Sequence, residues 1–223
     1  MIDYRRLRPH NLRSPEFRHL VLLIYWAFYG LAFLSVERLI PRQVYHPVWC
    51  PLDDRIPFCE WFMIPYMFWF VFLVGMHLYL LLEDVPAFRK MMYFIMLTYS
   101  ATILVYLVYP TCQELRPAVF PRDNFLTRFT ANFYDFDTNT NVCPSLHCVG
   151  SMAVVYGAWS CPKLRKFRFV FLAVGLLISV STVFVKQHSI IDVFWGLTFS
   201  AAGWFIVEKF TRRQVKWSEK ATI

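Results

Sequence analysis

The sequence predicts an all-α, polytopic membrane protein, a bundle of six transmembrane helices with both termini in the cytoplasm. Three observations predict it. The 223 residues are 57% hydrophobic and 19% aromatic, with positive mean hydropathy, a composition that excludes a disordered chain and argues against a water-soluble globule. Apolar runs recur at close to the ~20 residues a helix needs to cross a bilayer. Lys and Arg, finally, are distributed unevenly between alternate connections.

Residues 1–19 are Arg-rich and contain no apolar core. No cleavable signal peptide is therefore expected, and the first span, residues 20–39, stays as an anchor. The outer loop 41–57, with Tyr45 and Trp49, predicts an aromatic anchor at the membrane interface. Residues 63–82 and 91–109 form the second and third spans, with His77 in mid-span as an interior, hydrogen-bonded histidine. The largest polar connection, 110–144, carries Phe125, Phe129 and Phe133 at every fourth position. That spacing makes one aromatic helix face, which either lies in the headgroup region or packs onto the bundle. Residues 147–159 form a short fourth span, 169–185 the fifth and 189–207 the sixth. With no repeat and no low-complexity linker, the chain reads as one domain over 1–223, its motif-bearing core at about 91–209.

Charge orients these spans. Sixteen of the 23 Lys and Arg residues fall in the N-terminus (Arg5, Arg6, Arg8, Arg13, Arg18), the second-to-third connection (Arg89, Lys90), the fourth-to-fifth connection (Lys163, Arg165, Lys166, Arg168) and the C-terminus (Lys209, Arg212, Arg213, Lys216, Lys220). Arg38, Arg42, Arg55, Arg116, Arg122, Arg128 and Lys186 fall on the other side. The positive-inside rule makes the first group cytoplasmic. The net charge of +8 then reads as topology and attraction to anionic lipid; no nucleic-acid-reading motif accompanies it. Of the six cysteines, Cys50 and Cys59 share one outward loop and Cys112 and Cys143 bracket another. Either pair could bridge in an oxidising compartment or stay reduced, whereas Cys148 and Cys161 read as free thiols.

Two segments concentrate chemistry at the edges of apolar runs: Cys143-Pro144-Ser145-Leu146-His147 and Lys186-Gln187-His188-Ser189-Ile190-Ile191-Asp192. Ionisable groups at such positions point to function. The topology brings both segments, with Arg116, to the non-cytoplasmic face. His188 and Asp192 share a helix face if the last helix begins near His188. The carboxylate then fixes the imidazole tautomer and leaves the other nitrogen free to attack. Pro144 suits a first helical turn, so Ser145 lies where unpaired backbone N–H groups favour a phosphate. Lys186 and Arg116 supply positive charge. The expectation is phosphoryl transfer through a phosphohistidine: His188 as nucleophile, Asp192 orienting it, His147 as general acid, and Ser145, Lys186 and Arg116 holding phosphate oxygens.

These residues also carry a resemblance. The chain resembles the type-2 phosphatidic acid phosphatase superfamily, six-span lipid phosphatases related to sphingolipid-synthesising phosphotransferases. That family's motifs are K-x6-R-P, P-S-G-H and S-R-x5-H-x3-D. Here the second stands as Pro144-Ser145-Leu146-His147, the third as Ser181-Thr182, five residues, His188, three residues and Asp192, and the first only as Arg116-Pro117. The resemblance spans the third through sixth spans and implies the phosphohistidine roles above, a lipid phosphate or phospholipid substrate in the bilayer, and no required metal or other cofactor. Tyr109 and Thr182 stand at positions where the family has Lys and Arg, and Leu146 replaces its Gly. A clamp with fewer cations fits a singly charged diester better than a nearly dianionic monoester, as in the inositol-phosphorylceramide and sphingomyelin synthase branch. Phosphatase and phosphotransferase both remain open.

Three rival readings compete. The histidines could be interior hydrogen-bonded groups of a non-catalytic protein. Cys143, His147, Cys148, His188 and Asp192 could be metal ligands, although their spacing lacks the usual paired pattern and leaves Ser145 and Lys186 without a role. A transporter would be expected to show inverted repeats and broken helices, and neither is evident in the sequence.

Overall fold

The computed structural model describes residues 2–39 and 44–220; residues 41–43 of the first outer loop, Arg42 among them, lie outside that set. The described chain is nearly all-α. Its helices are α1 (Ile24–Leu34), α2 (Pro51–Arg55), α3 (Met63–Glu83), α4 (Val85–Val108), α5 (Phe125–Phe136), α6 (Leu146–Ser160), α7 (Arg168–Phe184) and α8 (Ile190–Lys220). A 3-10 segment, Arg18–Leu23, leads into α1, and a π-turn, Ser35–Leu39, follows it. Among the described residues five stretches are long and apolar enough to cross a membrane: Arg18–Leu39, Glu60–Glu83, Val85–Val108, Pro162–Phe184 and Ile190–Arg213. The protein is thus a polytopic integral membrane protein.

The remaining expected span, 147–159, is the helix α6. Its fifteen residues reach about 22 Å, short of a hydrocarbon core about 30 Å thick. It sits at the centre of the bundle, packed against α3, α4, α7 and α8, and every residue from His147 to Ala158 is buried. A helix enclosed by protein needs neither full membrane length nor lipid-facing hydropathy. Small residues such as Gly150, Ser151, Ala153 and Gly157 let its neighbours approach closely.

One end of the bundle gathers the cation-rich segments. A single residue, Asp84, separates α3 from α4; its carboxylate accepts the Ala87 N–H at 3.0 Å, with Pro86 in the first turn. This cap starts α4 six residues before the expected span at 91, so Arg89 and Lys90 lie in its opening turns and not in a loop. Lys90 Nζ meets Glu208 Oε1 at 2.8 Å and Lys163 Nζ meets Glu83 Oε2 at 2.6 Å. The Tyr4 hydroxyl donates to the Leu81 carbonyl at 2.5 Å. These contacts bring the N-terminal segment, the α3–α4 turn, the α6–α7 connection and the C-terminal half of α8 together.

The opposite end is built from the long connections. Two short parallel strands, β1 (His46–Pro47) and β2 (Thr111–Cys112), stitch two of them together. Asn124 caps α5, accepting the Thr127 N–H at 3.0 Å while Thr127 Oγ1 accepts the Asn124 N–H at 2.9 Å. The aromatic face of α5 is part packed and part exposed. Phe129 and Phe133 pack on Met63, Tyr66 and Val185, whereas Phe125 is 79% exposed. His77 is the expected interior histidine: its Nδ1 meets the Leu73 carbonyl at 2.7 Å and its ring faces Trp26. All six cysteines are free thiols.

Candidate active site

The turn from α7 to α8 aims His188. Gln187 N–H and His188 N–H both donate to the Thr182 carbonyl, at 2.9 and 3.1 Å, and Lys186 takes a left-handed φ of 54°. Helix α8 begins two residues after His188, so Asp192 falls in its first turn. His188 Nδ1 lies 3.1 Å from Asp192 Oδ2, which also accepts the Ser189 N–H at 2.9 Å. An imidazole donating Nδ1–H to a carboxylate presents the lone pair of Nε2. The Cys143 thiol sits beside the same carboxylate, and burial followed by that negative charge pushes it well above the usual thiol range.

Helix α6 brings the second histidine. Ser145 caps it, accepting the Cys148 N–H at 3.4 Å, while the Ser145 N–H donates to the Asp192 backbone carbonyl at 3.1 Å. Gly196 makes this pairing of α6 and α8 feasible: a Cβ there would come within 2.8 Å of Cys148 Cβ and 3.0 Å of the Ser145 carbonyl. The His147 and His188 rings consequently lie 5.7 Å apart. His147 packs between Tyr66 and Trp69, centroids at 4.4 and 4.7 Å, and its buried Nε2 has no hydrogen-bond partner among the described residues.

Both histidines open onto a cavity of about 280 Å³. Its wall includes Trp26, Tyr29 and Phe33 of α1, Trp69 of α3, and Tyr99 and Tyr106 of α4. Gly150 lets that wall close in, since a Cβ there would meet Tyr99 OH at 2.6 Å and Trp69 Nε1 at 2.8 Å. Two carboxylates share the lining. Glu37 accepts from the hydroxyls of Thr138 and Thr140, the latter at 2.6 Å, and from Asn141 Nδ2 at 2.8 Å. Asp137 accepts from the Tyr66 hydroxyl, and burial pushes its carboxyl above the ordinary carboxylate range.

Thus the structure brings His147, His188 and Asp192 together. The other three expected site residues do not line this cavity. Arg116 is tied into the loops: it donates to Gln187 Oε1 at 2.6 and 3.0 Å, to the Tyr134 carbonyl at 2.9 Å and to the Asp137 carbonyl, and its guanidinium lies over the Tyr134 ring. Lys186 donates to the Asp53 carbonyl at 2.6 Å and faces a separate surface cleft with Asp54 and Glu114. Ser145 is fully buried in its cap. The two substituted positions are occupied as well: Thr182 is fully buried, its hydroxyl donating to the Ser179 carbonyl, and Tyr109 stacks on His46 at 4.0 Å. Among the described residues, no group of three or more His, Cys, Asp or Glu is arranged to hold a metal ion.

Sequence reasoning missed Glu37, Asp53, Asp137, Trp69 and Gln187. Glu37 left a signal, being the one carboxylate in the apolar run 20–39. Asp53 lies far away in the chain on the short helix α2, and only the fold brings its carboxylate to Ser189 Oγ at 2.6 Å and the Ile190 N–H at 2.9 Å.

A bundle of membrane-length helices carrying a paired histidine and carboxylate at one end defines an integral membrane protein with the groups for phosphoester chemistry. The chain belongs to the PAP2 superfamily, whose pattern matches residues 88–216, a family of membrane lipid phosphatases and related phosphotransferases. Comparison with curated proteins and with solved structures found no match. The family match begins inside α4, so Trp26, Glu37 and Trp69 belong to the part of the chain outside it.

Proposed function

We propose that the protein cleaves a lipid phosphoester through a phosphohistidine intermediate at the non-cytoplasmic face of the membrane. The observation that carries this reading is the His188–Asp192 pair at 3.1 Å opening, with His147, onto one cavity. His188 Nε2 attacks phosphorus as the bond to the leaving oxygen breaks, and His147 gives that oxygen its proton. Asp192 stabilises the imidazolium that develops. In the second half, water loses a proton to His147 and attacks phosphorus, the N–P bond breaks, and His188 is restored. When a lipid hydroxyl replaces water, the same site is a phosphotransferase; a cavity without Lys or Arg in its lining favours a diester donor, which is the chemistry of transfer. In this reading α6 is the fourth of six crossings, both termini are cytoplasmic, and residues 1–223 act as one domain.

The test supplies purified protein with phospholipid labelled in its phosphate, with and without a ceramide or diacylglycerol acceptor. Water-soluble label means hydrolysis, and acceptor-dependent labelled lipid means transfer. His188→Ala is expected to abolish both while leaving a folded, membrane-inserted protein. Retained turnover in that variant would sink the mechanism.

A further inference from the structure

The end of the bundle opposite the histidines carries a second cleft, of about 530 Å³. Three elements wall it: the start of the first apolar stretch supplies Arg18, His19 and Leu22, α4 supplies Arg89 and Lys90, and α8 supplies Thr211. Its charge is the reverse of the histidine cavity's, for it has cations and no Asp or Glu in its lining. Lys90 is neutralised from outside the lining by Glu208, at 2.8 Å. Arg18 and Arg89 take part in no ion pair among the described residues, and Arg89 is half-buried. Two guanidiniums left unneutralised around one cleft favour an anion between them.

The wall around these cations is fixed. His19 is 1% exposed, and its Nε2 lies 3.0 Å from the Tyr4 hydroxyl, which itself donates to the Leu81 carbonyl at 2.5 Å. Phe88 meets the same ring edge-on, with centroids 6.0 Å apart. Its Nδ1 is buried and completes no hydrogen bond among the described residues, although the Glu16 carbonyl lies near the ring. Depth identifies the source of the anion. Arg18 and Arg89 stand near the starts of two membrane-length stretches, Arg18–Leu39 and Val85–Val108, and Thr211 near the end of a third, Ile190–Arg213. Residues at such positions lie at the level of lipid head groups. Leu22, one turn further into its stretch, adds an apolar surface beside the charges.

We propose that this cleft binds the phosphate of an anionic phospholipid in the leaflet opposite the histidines, with Arg18 and Arg89 holding its oxygens. Guanidinium forks match phosphate geometry and form strong charge-assisted hydrogen bonds with it. The bound lipid is structural, and the site stands whichever chemistry the histidines perform. It answers a need of the fold. The first apolar stretch is the least enclosed of the five, with 11% of its window buried against 28–50% for the others. A phosphate shared by Arg18 and Arg89 ties that stretch to α4.

Native mass spectrometry of the purified protein, given equal amounts of phosphatidylglycerol and phosphatidylcholine in detergent, counts the lipid it retains. One phosphatidylglycerol is expected to be held at least about tenfold more than phosphatidylcholine. Equal retention of the two overturns the proposal, and that comparison needs no variant to fold. The double variant Arg18→Gln/Arg89→Gln should lose the preference by about the same factor. Its unfolding temperature without lipid should match that of the unmodified protein, since neither side chain is in an ion pair. Arg165→Gln/Lys166→Gln removes the same charge from exposed residues outside the cleft and should keep the preference. Equal losses in the two double variants would mean attraction to surface charge in general and would overturn the site. A roughly hundredfold excess of inorganic phosphate or glycerol 3-phosphate should leave the lipid in place. Displacement by either would overturn the lipid assignment in favour of a soluble phosphate.

Discussion

His188 and His147 differ in what surrounds them, and in the proposed mechanism that difference assigns their roles. His188 has Nδ1 held by Asp192 at 3.1 Å, which fixes one tautomer and directs Nε2 outward. His147 is wedged between Tyr66 and Trp69 with a buried, unpartnered Nε2, the position of a group that hands a proton to a substrate. His147→Ala is therefore expected to slow turnover by about 10²- to 10⁴-fold on lipids with alkoxide leaving groups. Much of that loss should return on a 4-nitrophenyl phosphoester, whose leaving group needs no proton. Comparing rates on the two substrates checks it, and equal losses on both would remove His147 from the acid role. The His188–Asp192 pairing was legible from four-residue spacing alone. The positions of Lys186 and Arg116 were not, because spacing says nothing about which backbone carbonyl a long side chain will find.

At the scale of elements, the site depends on where α8 starts. Asp53, on the short helix α2, accepts the Ser189 hydroxyl and the Ile190 N–H at the first turn of α8, and Lys186 fastens to the Asp53 backbone carbonyl. This loop thus acts as an external N-cap for the helix that carries Asp192. Asp53→Ala is expected to cost about 1–2 kcal/mol of stability and to lower kcat through a misplaced His188. Thermal unfolding together with Michaelis kinetics reads both, and unchanged kcat would confine Asp53 to stability. Helix α6 shows why the stretch 147–159 was hard to read. Its fifteen residues are short because it faces other helices on all sides, and a criterion of length and lipid transfer measures only what lipid contact demands.

Across the whole molecule, charge and chemistry separate to opposite ends. Glu83, Lys90, Lys163 and Glu208 pair at one end, while His147, His188, Glu37 and Asp137 meet at the other. With the proposed orientation, tags at either terminus should resist protease added to intact cells and become sensitive only after lysis, and a tag in the 110–144 connection should show the reverse. Accessible termini in intact cells would invert the assignment. The sequence by itself determined the membrane setting, the helical class, five long apolar stretches and the spacing of His147, His188 and Asp192. Those are properties of composition and local periodicity, and each is written within a few turns of chain. Only the tertiary structure decided that Asp53 caps α8, that Arg116 and Lys186 brace loops away from the cavity, and that Glu37 reaches Thr138, Thr140 and Asn141 more than a hundred residues on. These contacts join segments far apart in the chain, and their partners are chosen by how α1, α3, α4 and α6 pack, which no local pattern encodes.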